Sequence, residues 1–293
     1  MSSFLEFFDI FLLEAVINGI LLGGLLALLA LGLNLIFGVI DVTWICYAEL
    51  VMIGMYGMYF LVQFYGVPYF VAAPVAILLV AALGALLHFL VIAPLLNSAP
   101  INQLLATGGV LFVLQSFATV AFGVDFRNLG IRLPVLRLGE MHFSYSRVLA
   151  FAVALIGMLL VYFFMKKTYI GTAIRAIAQD RQIMPLMGVD AGRIYIITSA
   201  IGGGLAGLAA CLLVLQYDVH PFVGLSFGPI TFLICVLGGL GNFVGGFVAA
   251  FVFAEIISLG GLFSDLEWGY VLAFAFFIVM MFIRPAGLLA RRS

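Results

Sequence analysis

Residues 15–40 read AVINGILLGGLLALLALGLNLIFGVI, without a charged side chain from Ala15 to Ile40. A helix needs roughly 17–25 predominantly apolar residues to cross a bilayer, so this stretch predicts a membrane span. Its Gly19, Gly23, Gly24 and Gly32 supply the small surfaces that let membrane helices approach closely. Residues 148–165 and 194–217 are uncharged runs of the same kind. Only 9% of the chain is charged, against roughly 25% in soluble domains. The class implied is all-α: a polytopic membrane bundle of about eight to nine crossings. Residues 1–293 form a single transmembrane domain in this reading, since no soluble domain remains once the spans are assigned.

The first Lys or Arg is Arg127, so the N-terminal region lacks the basic segment of a secretory signal. Insertion is expected to rely on an uncleaved first helix. Cys46, Cys211 and Cys235 fall in or beside apolar spans, as small buried hydrophobes rather than a disulfide framework. A net charge of −1 gives no reason to expect nucleic acid.

The second span carries Glu49 near its start. A carboxylate at membrane depth costs a few kcal/mol, so it should face a cavity or a partner. Placement at the interface beside Trp44 and Tyr47 is the alternative, and both stay open. Spans three and four, 69–92 and 102–123, are separated by a turn containing Pro94 and Pro100. His88 reads as a satisfied structural histidine, and Thr107 and Gln115 as helix–helix contacts. Asn18 and Asn34 either bond to neighbouring helices or line a path. Residues 194–283 fit four spans with glycine-rich joints at 202–204 and 238–246, and residues 222–242 form either a crossing or a re-entrant helix. Gly203/Gly207 and Gly241/Gly245 have the spacing for close crossings. Glu255 is expected on an inner cavity by the same cost argument. Asn34, Glu49, Asn242 and Glu255 are the pathway candidates, chosen for polarity at depth.

The loop 124–147 carries Arg127, Arg132, Arg137 and Arg147. One span separates it from the basic segment 166–193, which shares its side with Arg284, Arg291 and Arg292 if four spans follow. That sets eight basic residues against four, and the positive-inside rule places 166–193 and the C-terminus in the cytoplasm and 124–147 outside. Nine crossings would put the N-terminus outside as well.

Residues 166–193, KKTYIGTAIRAIAQDRQIMPLMGVDAGR, carry seven charged residues, five of them basic, in a chain that is only 9% charged. On a helical wheel Thr172, Arg175, Gln179 and Gln182 share one side, and Ala173, Ile177 and Met184 the other. A short amphipathic helix is predicted for 172–184, stopped by Pro185 and followed by a turn at Gly188. An interfacial helix resting on lipid headgroups is the bland reading. The narrow apolar side, interrupted by Arg181 near Ile174, argues for a protein partner.

Little points to chemistry within the chain. Gly224–Gly228 matches G-x-S-x-G around Ser226, with His220 nearby, but a hydrolase elbow needs a strand-to-helix turn and a positioned acid and base. No G-x-x-x-x-G-K-[ST] occurs, so ATP hydrolysis by this chain is not expected. No Cys/His cluster has metal-ligand spacing.

The segment GTAIRAIAQDRQIMPLMGVDAGR, with LGLNLIFGVI early, VLGGLGNFVGG late and RPAGLL near the end, resembles the membrane-permease subunits of branched-chain amino acid ABC importers over nearly the whole chain. The resemblance implies a bacterial inner-membrane protein in the lipid bilayer that is not an enzyme and binds no cofactor. It implies a homologous second permease subunit, two cytoplasmic ABC ATPase subunits that hold ATP and Mg, and an extracytoplasmic solute-binding protein docking on 124–147. By carry-over, the helix with Arg175, Ala176, Ala178 and Asp180 is the coupling helix seated on an ATPase, with Gly171 and Gly188 marking its ends. The rival reading is a proton-coupled secondary carrier relaying protons through Glu49, His88 and Glu255.

Overall fold

The computed structural model describes residues 2–131, 134–138, 141–180, 184–263, 266–285 and 287–289. Helix α1 runs Ser2–Ile40, and α2 spans Tyr47–Tyr59 with a π-turn through Phe64. Helix α3, Tyr69–Leu87, continues through a π-turn into one-turn α4, Ala93–Leu95, and α5 spans Pro100–Phe122. A small antiparallel hairpin, β1 Val135–Leu138 and β2 Met141–Ser144, precedes α6, Tyr145–Lys167. There follow α7 (Tyr169–Gln179), α8 (Ala191–Leu213), α9 (Val223–Gly238), α10 (Phe243–Phe263) and α11 (Leu266–Ile283). Among the described residues the architecture is all-helical apart from the hairpin.

Among the described residues seven helical stretches are long and apolar enough to cross a membrane, beginning with Phe11–Ile40. Two shorter apolar helices, Val223–Gly238 and Glu267–Ile283, accompany them. At 16 residues, α9 is about 24 Å long, shorter than the ~30 Å hydrocarbon core.

Helix α1 is the central post. It packs against α6, α8, α9 and α10, and its Leu25–Ala30 segment is almost wholly buried. Glycine sets these approaches: Gly23 lies against Phe251 of α10, Gly24 against Phe151 of α6 and Gly202 against Ile36 of α1. Gly203 and Gly207 of α8 meet α3 backbone at Val80 and Ile77, as the small-residue spacing predicts. The joint expected at 202–204 is absent, because α8 runs unbroken through those glycines. Their role is to admit a neighbouring helix rather than to bend their own. By contrast, the outward side of α5 leaves Phe112, Val113, Phe117 and Val120 exposed, as expected where hydrocarbon replaces water.

Two ends of the bundle are tied differently. At one, Arg127 and Val219 exchange backbone hydrogen bonds of 2.9 and 2.7 Å, Gln63 Nε2 donates to Leu129 O at 2.6 Å, and Arg147 Nη1 donates to Asn18 Oδ1 at 2.8 Å. At the other, Gly38 of α1 meets Gly241, and Leu288 N donates to Leu237 O at 2.7 Å, closing the C-terminal strand of chain onto the end of α9. There Gly239 and Gly241 take φ of +94° and +78°, a turn that side chains resist. Helix α7 lies at this second end, where it packs on α1, α6 and α8.

The second span is one continuous helical stretch, Tyr47–Phe64, preceded by an irregular lead. Asp41, with φ +59°, turns the chain back from α1, residues 41–44 are non-helical, and α2 begins only at Tyr47. Val42, Trp44 and Cys46 are buried. Irregular backbone at depth is tolerated where protein or a cavity surrounds it.

Candidate functional site

Thr168 shapes the start of α7. Its backbone leaves the helical region at the end of α6, and its Oγ1 accepts a hydrogen bond from Gly171 N at 3.0 Å, the N-cap geometry that satisfies a free helix-terminal donor. Gly171 makes the sharp corner possible, because a Cβ there would fall 2.5 Å from Phe164 O. The cap moves the helix start upstream of the expected residue 172, to Tyr169. Its end also comes earlier than residue 184: Asp180 takes φ −150°, and aspartate favours helix ends because its side chain competes for backbone donors. Arg181 and Gln182 lie outside the described residues. Met184–Met187 form a 3-10 turn and Gly188 the left-handed residue, φ +82°, before Asp190 caps α8 through Arg193 N at 3.2 Å.

The amphipathic division of α7 follows the sequence. Gly171, Ala173, Ile174 and Ile177 are buried against the bundle, while Thr172, Arg175, Ala178, Gln179 and Asp180 are exposed and Ala176 is half-buried. The apolar side is thus spent on protein rather than on lipid headgroups, and a polar face is left outward. Arg175 is steadied by Thr172 Oγ1 at 3.4 Å.

A cavity of about 270 Å³ lies between the 43–49 segment, α5 and α9. Glu49 in the first turn of α2 lines it, is fully buried, and receives a hydrogen bond from Gln115 Nε2 of α5 at 3.0 Å. Glu49 is therefore a carboxylate enclosed by protein, whatever its depth along the span. It lies ten positions before Tyr59, about 15 Å along α2. Gly224 of α9 makes room for it, since a Cβ there would sit 2.5 Å from Oε1, and Gly228 faces Ala48. The G-x-S-x-G pattern is thus a flat helical face toward α2. Ser226 stands in the first turn of α9 rather than in a loop, and His220 Nδ1 accepts from Phe222 N at 3.3 Å. Burial lowers the affinity of His220 for a proton, against the opposing charge of Asp218.

The other pathway candidates are scattered. Asn34 is buried and its Oδ1 accepts from Gly241 N at 3.2 Å, at the glycine joint. Asn242 accepts from Gly245 N at 3.0 Å and donates to Leu289 O at 3.1 Å, capping α10 and holding the C-terminal strand of chain. Glu255 of α10 lies against Gly19 of α1, away from the Glu49 cavity. Gln115 bonds Glu49 between two helices as expected, whereas Thr107 Oγ1 donates at 2.9 Å to Thr43 O of the non-helical 41–44 segment. His88 is buried but not satisfied: its Nδ1 has no hydrogen-bond partner. A tilted ring contact with Tyr195 at 6.2 Å packs it without bonding it.

On the 124–147 segment Arg127 is turned inward, its guanidinium donating to Phe122 O and lying 5.6 Å from the ring centres of Tyr59 and Phe60. Arg147 bonds Asn18. Arg132 and Glu140 lie outside the described residues. Sequence reasoning missed Trp44 and Gly224 as walls of the Glu49 cavity. The available signal was the placement of Trp44, Tyr47 and Glu49 within one short polar-aromatic stretch.

Residues 15–281 match the family described as branched-chain amino acid transport system, permease component. The high-affinity branched-chain amino acid transport permease LivH of Salmonella typhimurium is 27% identical over 96% of each chain. BraD of Pseudomonas aeruginosa is 28% identical over 95% of this chain and 96% of its own length. LivM of Escherichia coli is 26% identical over 89% of this chain and 67% of its own. In fold the chain resembles PsaBC from Streptococcus pneumoniae, solved with a Fab, at a TM-score of 0.52 and 14% identity, covering 92% and 91% of the two chains. With this helical bundle and a match over nearly its full length, the chain belongs to the family of branched-chain amino acid transport permease components, which are transport subunits and not enzymes.

Proposed function

We propose that this chain is a transmembrane permease subunit of an ATP-driven ABC importer in a bacterial inner membrane, carrying branched-chain amino acids or a related small polar solute. It pairs with a homologous permease subunit, and relatives named LivH and LivM are consistent with a paralogous pair. Two cytoplasmic ATPases, which hold ATP and Mg, dock on α7. An extracytoplasmic binding protein delivers solute at the hairpin end.

The observation that carries this reading is α7: its apolar side is fixed on α1, α6 and α8 while Thr172, Arg175 and Gln179 face outward. A short helix held rigidly to the spans and polar on its free side can pass a push to them. Gly171, Arg175, Ala176, Ala178, Asp180 and Gly188 form the coupling segment in this proposal. The basic residues of 166–193 and Arg284 favour the cytoplasm for that end. Glu49 is the pathway residue of choice, and Asn34, Asn242 and Glu255 hold secondary places as polar groups at depth.

The test is uptake by vesicles carrying the assembled complex. ATP inside should drive accumulation with no proton gradient, and ATPase subunits should co-purify with the permease. Uptake driven by a proton gradient without nucleotide would instead favour a secondary carrier.

A further inference from the structure

The cavity beside Glu49 is built around unmet hydrogen-bonding capacity. Glu49 is 0% exposed, its Oε1 is held by Gln115, and its Oε2 has no partner. Trp44, 1% exposed, also buries its Nε1 without an acceptor. Both residues line the same chamber. The Tyr47 and Thr231 hydroxyls are already used, on Gly202 O at 3.3 Å and Phe227 O at 2.7 Å. The remaining wall is largely hydrocarbon, with Leu33, Leu111, Pro229 and Phe232, and no Lys, Arg or His among the lining residues.

An ionised carboxylate accepts hydrogen bonds and donates none. Leaving one of its oxygens bare in an apolar chamber is costly. An anionic solute would meet like charge there, and a neutral hydrocarbon would leave the oxygen unpaired. A cationic N–H donor on a small apolar body satisfies both halves of the site. The chamber, about 270 Å³, falls just below the roughly 300–1,000 Å³ typical of drug-sized ligands, a size for a small solute.

Resting on the importer reading, we propose that Glu49 receives the ammonium group of the transported solute. Gln115 holds the carboxylate in place, and Leu111, Pro229 and Phe232 take up the hydrocarbon. The indole N–H of Trp44 is then available to an acceptor at the solute's other end. The site selects primary amines with a short apolar body and rejects the matching acids that lack the amine.

The test uses the detergent-solubilised complex and two probes, each carrying half of the solute's chemistry. 3-Methylbutylamine should raise the melting temperature of the wild-type complex, because a ligand that binds the native state stabilises it, whereas 4-methylpentanoate should not. Glu49→Gln, which keeps the shape and loses the charge, should abolish the amine shift, and Glu49→Asp should retain part of it. Equal shifts with amine and acid, no amine shift in the wild type, or an unchanged amine shift in Glu49→Gln would each overturn the assignment. The comparison of amine with acid needs no variant, so it stands even if Glu49→Gln fails to assemble. ATPase co-purification and ATP-driven leucine uptake separate the two claims. A wild-type complex that retains no ATPase subunit overturns the importer reading. Import with the same KM in wild type and Glu49→Gln overturns only the role of Glu49, for which at least a tenfold rise in KM is expected.

Discussion

Glu49 of α2 and Gln115 of α5 meet at 3.0 Å in a fully buried hydrogen bond between residues 66 positions apart. Helix α5 has few other inward polar groups, so this bond and that of Thr107 to Thr43 O fix its register against the rest of the bundle. Replacing Gln115 by Leu leaves both carboxylate oxygens unbonded, which costs about 1–3 kcal/mol. The melting temperature of the purified complex should fall accordingly, and an unchanged value would show that the bond does not secure α5.

The outward side of α7 should transmit ATP-driven motion without holding the membrane fold. Arg175→Glu or Asp180→Lys is expected to lower uptake by at least tenfold while permease levels in the membrane stay normal. Parallel measurement of ATP hydrolysis and uptake checks this: hydrolysis persisting without transport is the expected signature. Wild-type uptake in both variants would count against docking through this face.

At the α6–α7 corner, Gly171→Val should be far more damaging than Ala178→Val. The first places side-chain carbons against Phe164 O and the Met165 backbone, where a Cβ already falls 2.5 Å away, and such overpacking costs about 1–3 kcal/mol. Ala178 is exposed. Membrane accumulation and thermal stability of the two variants provide the comparison, and equal behaviour would show that the corner is not tightly packed.

Gly224→Ala introduces a methyl group beside Glu49 Oε1. The carboxylate lies at the end of a side chain that can swing, so the expected effect is on transport, with KM raised severalfold and stability changed little. Ser226→Ala should do neither, since Ser226 is an exposed residue in the first turn of α9. Labelling of the chain by a serine-reactive fluorophosphonate, lost in Ser226→Ala, would reverse that reading and restore a hydrolytic one.

The membrane class, the succession of spans, and the division of α7 into Ala173/Ile177 and Thr172/Arg175/Gln179 sides were all legible in the chain. Each depends on composition or periodicity within a single segment: apolar length decides bilayer crossing, and the 3.6-residue period decides which side chains share a face. The same local rules could not separate Glu49 from Asn242 or Glu255, because all are polar residues in apolar surroundings. Only the packed structure turned Asn242 into a helix cap, laid Glu255 on Gly19, and aimed Glu49 into a chamber with Gln115 and Trp44. Whether a buried polar group is satisfied depends on what another helix brings within about 3 Å of it, and that neighbour is chosen by how glycine faces far apart in the chain fit together.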